Sequence, residues 1–225
     1  MGNEPVCLEE IFPCWDKIDI KEQEVIKECA ELRRFKKGER PHQGSGDCAG
    51  LFLVKSGQLR VFILSESGKE ITLYRLFAWD ICLFSAACIM SNISFEMHVE
   101  AEKDTEAFIV PADLYEKLVK KSLPVAHYTN QLMSSRFSDV MWIMEQVLFT
   151  SFDSRLAALL LEQRVIEGSN VLLITHDEIA RHMGSAREVV TKMLNYLAGE
   201  GMLKLARGKI TLLDTERLNG LIKTK

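Results

Sequence analysis

A chain of 225 residues with 47% hydrophobic side chains can fill the core of one large domain or of two small ones. No run approaches the ~20 apolar residues that span a bilayer. The acidic start, with Glu4, Glu9 and Glu10, is unlike a secretory signal, so a cytoplasmic protein is expected. The net charge of −4 argues against a general nucleic-acid binder, but its distribution is uneven: residues 1–150 sum to −6 and residues 151–225 to +2.

The first stretch, residues 1–34, carries a helical pattern around Glu22 to Leu32, after Pro13. Residues 35–110 are broken by glycines at 38, 44, 46, 50, 57 and 68. Between them lie Leu51–Val54, Gln58–Leu64 and Glu70–Leu76, short β-rich runs at regular spacing. Such runs with Gly turns predict an antiparallel sandwich or barrel. After Pro111 the pattern is helical to about Gly168.

The segment from Pro124 to about Leu148 reads as one long helix. Ala126, Asn130, Met133, Phe137, Val140, Met144 and Val147 recur at alternating spacings of four and three, a coiled-coil seam. Asn130 at a core position would favour one register of a parallel dimer. Met141 and Trp142 widen the stripe, so a helix packed only on its own domain is the alternative.

Thr175 to Leu197 contains two helix starts. Thr175 with Glu178 fits a capping box, and so does Ser185 with Glu188. Gly184 between them tolerates the left-handed backbone that ends a first helix. Ile179, Ala180 and Met183 form an apolar face on the first helix. Val189, Val190, Met193, Leu194 and Leu197 do so on the second. Two short helices around such a turn predict a helix-turn-helix, whose second helix can enter the DNA major groove. Ser185, Arg187, Glu188, Thr191 and Lys192 are not needed for its core face. Arg187 can donate twice to a guanine edge and Glu188 can accept from cytosine N4. Thr191 and Lys192, a turn further on, can reach a base or a phosphate.

The β-rich runs Gly201–Ala206 and Lys209–Leu213 flank Arg207-Gly208, a hairpin with a cation at its tip. That wing suits DNA, with Arg207, Lys209 and Thr175 as further contacts. An ordinary amphipathic helix pair with a solvated charged face, or a pair that binds protein, is the competing reading. Catalysis is not expected. His42 and His98 are the only histidines in residues 35–110, too few for a clustered metal site, and no phosphate loop or nucleophile elbow occurs. Of the cysteines at 7, 14, 29, 48, 82 and 88, none forms a C-x-x-C pair, so free thiols buried as small hydrophobes are expected.

From about residue 15 to 220 the chain resembles the Crp/Fnr transcription regulators. The matching residues are Lys37-Gly38-Glu39, Leu51-Phe52 with Val54, Ser56-Gly57, Arg60-Val61, Gly68-Lys69-Glu70, Pro111, and the block Arg187 to Lys192. The resemblance implies an α+β fold in three parts. Residues 1–122 form a β-roll effector-sensing domain of cyclic-nucleotide-binding type, 123–150 a dimerisation helix and hinge, and 151–225 a winged helix-turn-helix. It implies a homodimer that reads an inverted repeat in double-stranded DNA, contacts RNA polymerase, and is switched by a small molecule in the roll. Its dimer interface would be Asn130, Met133, Phe137, Val140, Met144 and Val147.

The resemblance is uneven in its functional residues. In the reading helix Lys192 replaces the family's Arg, and Lys lacks the planar two-donor fork. In the effector pocket Phe84 stands at the ribose-binding Glu position, and Phe95 and Glu96 at the phosphate-binding Arg-Ser pair. Val140 and Met141 stand where the polar pair that caps the base would be. Cyclic AMP is therefore not the expected effector. A pocket of Cys82, Phe84, Ser85, Phe95, Glu96, Val140 and Met141 suits an apolar or aromatic molecule, or no ligand. Cys82 also matches a haem-ligating Cys of the carbon-monoxide sensors, though Phe84 replaces the partner His and His98 is the nearest substitute. Haem, or thiol sensing through Cys82 or Cys88, is the alternative of the same architecture. Cys7, Cys14 and Cys29 lack the spacing of the iron–sulfur members.

Overall fold

The computed structural model describes residues 7–43, 50–66, 68–83 and 96–223. At the start, α1 (Leu8–Ile11), a 3₁₀ turn at Trp15–Lys17 and α2 (Ile20–Cys29) follow one another. The Asp19 side chain caps α2 by accepting from Lys21 N at 3.4 Å. The helix stops short of the Leu32 that the sequence pattern suggested. Glu31–Phe35 instead forms β1, which pairs in antiparallel register with residues 105–109. A five-residue ladder to a distant strand outweighs a helical propensity that had no local stop signal.

The remaining strands of this region are β2 (His42–Gln43), β3 (Leu51–Ser56), β4 (Leu59–Leu64), β5 (Glu70–Leu76), β6 (Ile81–Cys82), β7 (His98–Ala101) and β8 (Thr105–Val110). They form two four-stranded sheets, ordered β1-β8-β3-β6 and β2-β7-β4-β5. Strand β3 is apolar without alternation because both its faces are covered. Leu51 and Leu53 join α1, α2 and the following helices in one core cluster, with Ile26, Tyr115 and Val125. Phe52 and Val54 face the other way, into the inter-sheet core with Leu59, Val61, Leu73 and Val99. Gly57 makes the tight β3–β4 turn possible. Its φ is +94°, and a Cβ there would lie 2.4 Å from the carbonyl oxygen of Asp104.

Helices α3 (Ala112–Lys121), α4 (Leu123–Phe149) and α5 (Phe152–Glu167) follow Pro111, as the sequence pattern predicts. Pro124 sits in the first turn of α4, where its missing N–H is harmless. Gly168, with φ +62°, ends α5. Then come β9 (Val171–Leu172), α6 (His176–His182), α7 (Arg187–Gly199), β10 (Leu203–Ala206), β11 (Lys209–Leu212) and α8 (Thr215–Lys223). A small sheet ordered β10-β11-β9 and the helices α5 to α8 share one core, including Leu156, Leu160, Ile179, Val190, Leu194, Leu197, Ile210 and Leu218.

The chain divides into two compact units. One holds the described residues up to 64 together with 73–140, the other those of 65–72 and 141–225. Among the described residues no helix is long and apolar enough to cross a membrane.

Candidate nucleic-acid interface and effector pocket

The first helix of the helix-turn-helix is set by the expected capping box. Thr175 Oγ1 accepts from Glu178 N at 3.2 Å, and the Glu178 carboxylate accepts from Thr175 N at 2.7 Å. Gly184, φ +62°, leaves the helix in the left-handed conformation, and Ser185 N donates back to Ala180 O at 3.0 Å.

The expected second capping box, Ser185 with Glu188, does not form. The N-cap of α7 is Ala186, without a side-chain hydrogen bond. Ser185 is committed through its backbone to closing α6, and the helix therefore starts later. Its first turn is anchored on Ala186 O, which accepts from Val189 N at 3.1 Å and Val190 N at 3.3 Å. The core stripe of α7 is Val190, Leu194 and Leu197, all fully buried, with Met193 packed at its edge. Val189 was expected on that face but is exposed. At 100° per residue it falls off the 190–194–197 stripe.

Arg187, Glu188 and Lys192 are exposed and Thr191 is half-buried; with Asn195 they line one shallow depression along α7. Asn195 was not singled out from sequence, although it continues the 188–191–192 polar stripe by one turn. Two further partners were missed, because nothing local marks them. Asp177 Oδ2 lies 3.2 Å from Arg187 Nη1, and His176 Nδ1 lies 3.0 Å from Thr191 Oγ1. Of the other expected contacts, Thr175 spends its hydroxyl on the cap, and Ser185 is half-buried at the turn. Arg207 and Lys209 are exposed at the tip of the β10–β11 hairpin, where Ala206 pairs with Lys209 around Gly208, φ +66°.

The expected effector residues are less completely seen. Phe84, Ser85 and Phe95, like Cys48 and Cys88, lie outside the described residues. Cys82 is fully buried in the inter-sheet core, and Tyr74, Met133 and Val140 pack against the same cluster. Glu96 and Met141 are exposed. The positions aligned with the phosphate-binding pair hold no cation, but Arg136 of α4 lies in this region. Its guanidinium lies 4.5 Å from the Tyr74 ring centroid, and its Nη1 is 3.1 Å from Asp139 Oδ2. Its place one turn after Met133, on the same helix face, is the signal that could have found it. Burial, then the neighbouring Cys82, pushes the Tyr74 phenol well above its ordinary pKa, so it stays neutral. His98, the candidate second haem ligand, stacks on Phe62 with ring centroids 5.3 Å apart.

The seam of α4 splits in two. Asn130, Phe137, Met144 and Val147 are exposed, as are Trp142, Leu148 and Phe149. Met133 and Val140 instead pack on their own β-roll.

A two-sheet antiparallel roll, a long helix with an exposed apolar side and a winged helix-turn-helix are together the architecture of a class of transcription regulators. Residues 32–122 match the family profile of the cyclic nucleotide-binding domain, and residues 154–221 that of the Crp-like helix-turn-helix domain. The chain is 30% identical to transcriptional regulator SdrP of Thermus thermophilus over 184 residues, 77% of this chain and 84% of that protein. It is 27% identical to the cyclic AMP receptor protein of the same organism over 168 residues, 75% of this chain and 77% of that protein. The crystal structure of a Crp/Fnr-family protein from Eubacterium rectale superposes with a TM-score of 0.93 at 53% identity, covering 95% of this chain and 99% of the other. The chain belongs to the Crp/Fnr family of transcription regulators.

Proposed function

We propose that this regulator acts as a homodimer that reads an inverted repeat in double-stranded DNA. Arg187, Glu188, Thr191 and Lys192 of each copy meet base edges in successive major grooves about one helical turn (~34 Å) apart. Arg207 and Lys209 touch the flanking backbone, and Ser185 and Thr175 lie at the groove edge. The observation that carries this reading is the division of α7. Its 190–194–197 face is sealed in the core, and its first two turns present charged and polar side chains outward along one depression. The exposed apolar side of α4 supports the dimer, with Asn130, Phe137, Met144 and Val147 as its contacts. The division of labour follows: residues 1–122 sense, 123–150 pair the copies, and 151–225 bind DNA.

The effector lies in the roll against α4, between Cys82, Tyr74, Met133 and Val140, and it is not cyclic AMP. Met133 and Val140 of α4 pack on this core, and Arg136 of the same helix is already engaged with Tyr74 and Asp139. By resemblance to the family's cyclic-nucleotide members, Phe84, Phe95 and Glu96 stand where the sugar- and phosphate-binding residues would be. Such surroundings suit an apolar or aromatic molecule, or no ligand, rather than an anion.

The test is selection of duplexes from a randomised pool by the full-length protein, followed by footprinting. A symmetric pair of protected half-sites is expected. Enrichment of no common sequence, or protection of a single asymmetric half-site, would overturn the proposal.

A further inference from the structure

We propose that His176 and Asp177, on the first helix of the helix-turn-helix, are positioning residues that hold the base-reading side chains Thr191 and Arg187. This inference rests on the base-reading role of α7 given above. The capping box between Thr175 and Glu178 fixes the start of α6, and therefore the place of the two residues that follow the cap. Both side chains reach across to α7, each to a different reader. Asp177 Oδ2 is 3.2 Å from Arg187 Nη1, and His176 Nδ1 is 3.0 Å from Thr191 Oγ1.

Neither contact is required by the fold. The helix pair is held by the buried Ile179, Ala180, Met183, Val190 and Leu194. An ion pair between side chains as exposed as Asp177 and Arg187 adds little to stability. The chemistry fits a supporting role in reading. A guanidinium has five N–H donors. One turned to Asp177 leaves four, two of which can meet guanine O6 and N7. A free Arg side chain has many rotamers, and fixing it before DNA arrives removes part of the ordering cost of binding. The Asp177 carboxylate also disfavours a slide of Arg187 onto a phosphate, which would bring the carboxylate against a like charge. Specific binding is thereby favoured over non-specific binding. His176 does the same for Thr191 by fixing the direction of its hydroxyl.

Full-length wild type, D177A, D177E, H176A and H176Q are titrated against a duplex selected from a randomised pool. Two further titrations use single-base variants of that duplex and an unrelated duplex, each at two salt concentrations. For D177A, discrimination at one symmetric base pair should fall roughly three- to tenfold, while affinity for the unrelated duplex holds or rises. D177E, which keeps a carboxylate, should recover part of that discrimination. H176A should relax preference at a neighbouring position, and H176Q, which keeps a hydrogen-bonding side chain, should restore it. Thermal melts should match wild type. If D177A and H176A leave every discrimination ratio unchanged, or weaken all duplexes equally, the positioning role is wrong. If wild type itself shows no preference among duplexes, it is the base-reading role of α7 that has failed, a separate outcome.

Discussion

Phe137 offers the sharpest test of the proposed dimer. It lies on the outer side of α4 with 66% of its surface exposed, and Met144, two turns on, is 47% exposed. An aromatic side chain presents roughly 200 Å², so about 130 Å² of Phe137 is left outside its own protomer. Covering that area in both copies at about 25 cal/mol/Å² contributes about 6 kcal/mol per dimer, as an upper bound. Phe137→Ala should therefore weaken dimerisation by up to about four powers of ten. The pair Phe137→Glu with Met144→Glu adds like charges at the interface and should give monomers. Neither position belongs to a buried core cluster, so folding should be spared. Val140→Glu, by contrast, would damage the roll on which Val140 packs. Sedimentation velocity across nanomolar to micromolar protein reads the mass, and circular dichroism checks the fold. A folded double-Glu variant that sediments as a dimer with unchanged affinity would refute the assignment of this face.

Glu188→Ala should remove an acceptor for cytosine N4 and relax one symmetric base pair by about 1–3 kcal/mol, read by titrating single-base operator variants. Lys209→Ala on the wing should instead weaken all sequences alike and flatten the salt dependence; an equal loss on all sequences for Glu188→Ala would contradict its reading role. Calorimetry with cyclic AMP and cyclic GMP should show no saturable heat at micromolar ligand, and a heat abolished by a pocket substitution would overturn the exclusion of cyclic nucleotides. Glu102 accepts from Arg75 Nε at 2.8 Å and Nη2 at 3.2 Å, and from the Gln58 amide, in a nearly buried site. Glu102→Ala should cost about 3 kcal/mol in urea denaturation, and a loss below ~0.5 kcal/mol would show the pair to be dispensable. Burial raises the Tyr115 phenol from 10.0 to about 12, although its hydrogen bond with Thr129 lowers it. The raised value favours the neutral form in the fold. The associated stability is complete below pH 10 and declines by about 3 kcal/mol as pH climbs through about 12. Tyr115→Phe should flatten that alkaline slope; an unchanged slope would assign it elsewhere.

Much of this protein is written in short-range pattern. The helix-turn-helix was legible because its signals are local: a capping box spanning four residues, a glycine at the turn, and a buried stripe at 190, 194 and 197. The strands β3, β4 and β5 were legible as apolar runs between glycines, and the wing as two such runs around Arg207-Gly208. Resemblance then joined these parts into a regulator. Other features were decided by contacts between residues far apart in the chain. Strand β1 exists because Glu31–Phe35 finds β8, seventy or more residues on, and that pairing ended α2 earlier than its periodicity suggested. Ser185 was an equally good cap by sequence, but closing α6 required its backbone first. The α4 pattern gave one wide apolar stripe. Only packing showed that Met133 and Val140 serve the roll while Phe137 and Met144 remain outside. The same holds for Arg136 over Tyr74 and for Asp177 beside Arg187. Periodicity tells which residues share a face, because the backbone repeat fixes that within a turn or two. It carries no information about what the face meets, since that depends on where the rest of the chain has folded.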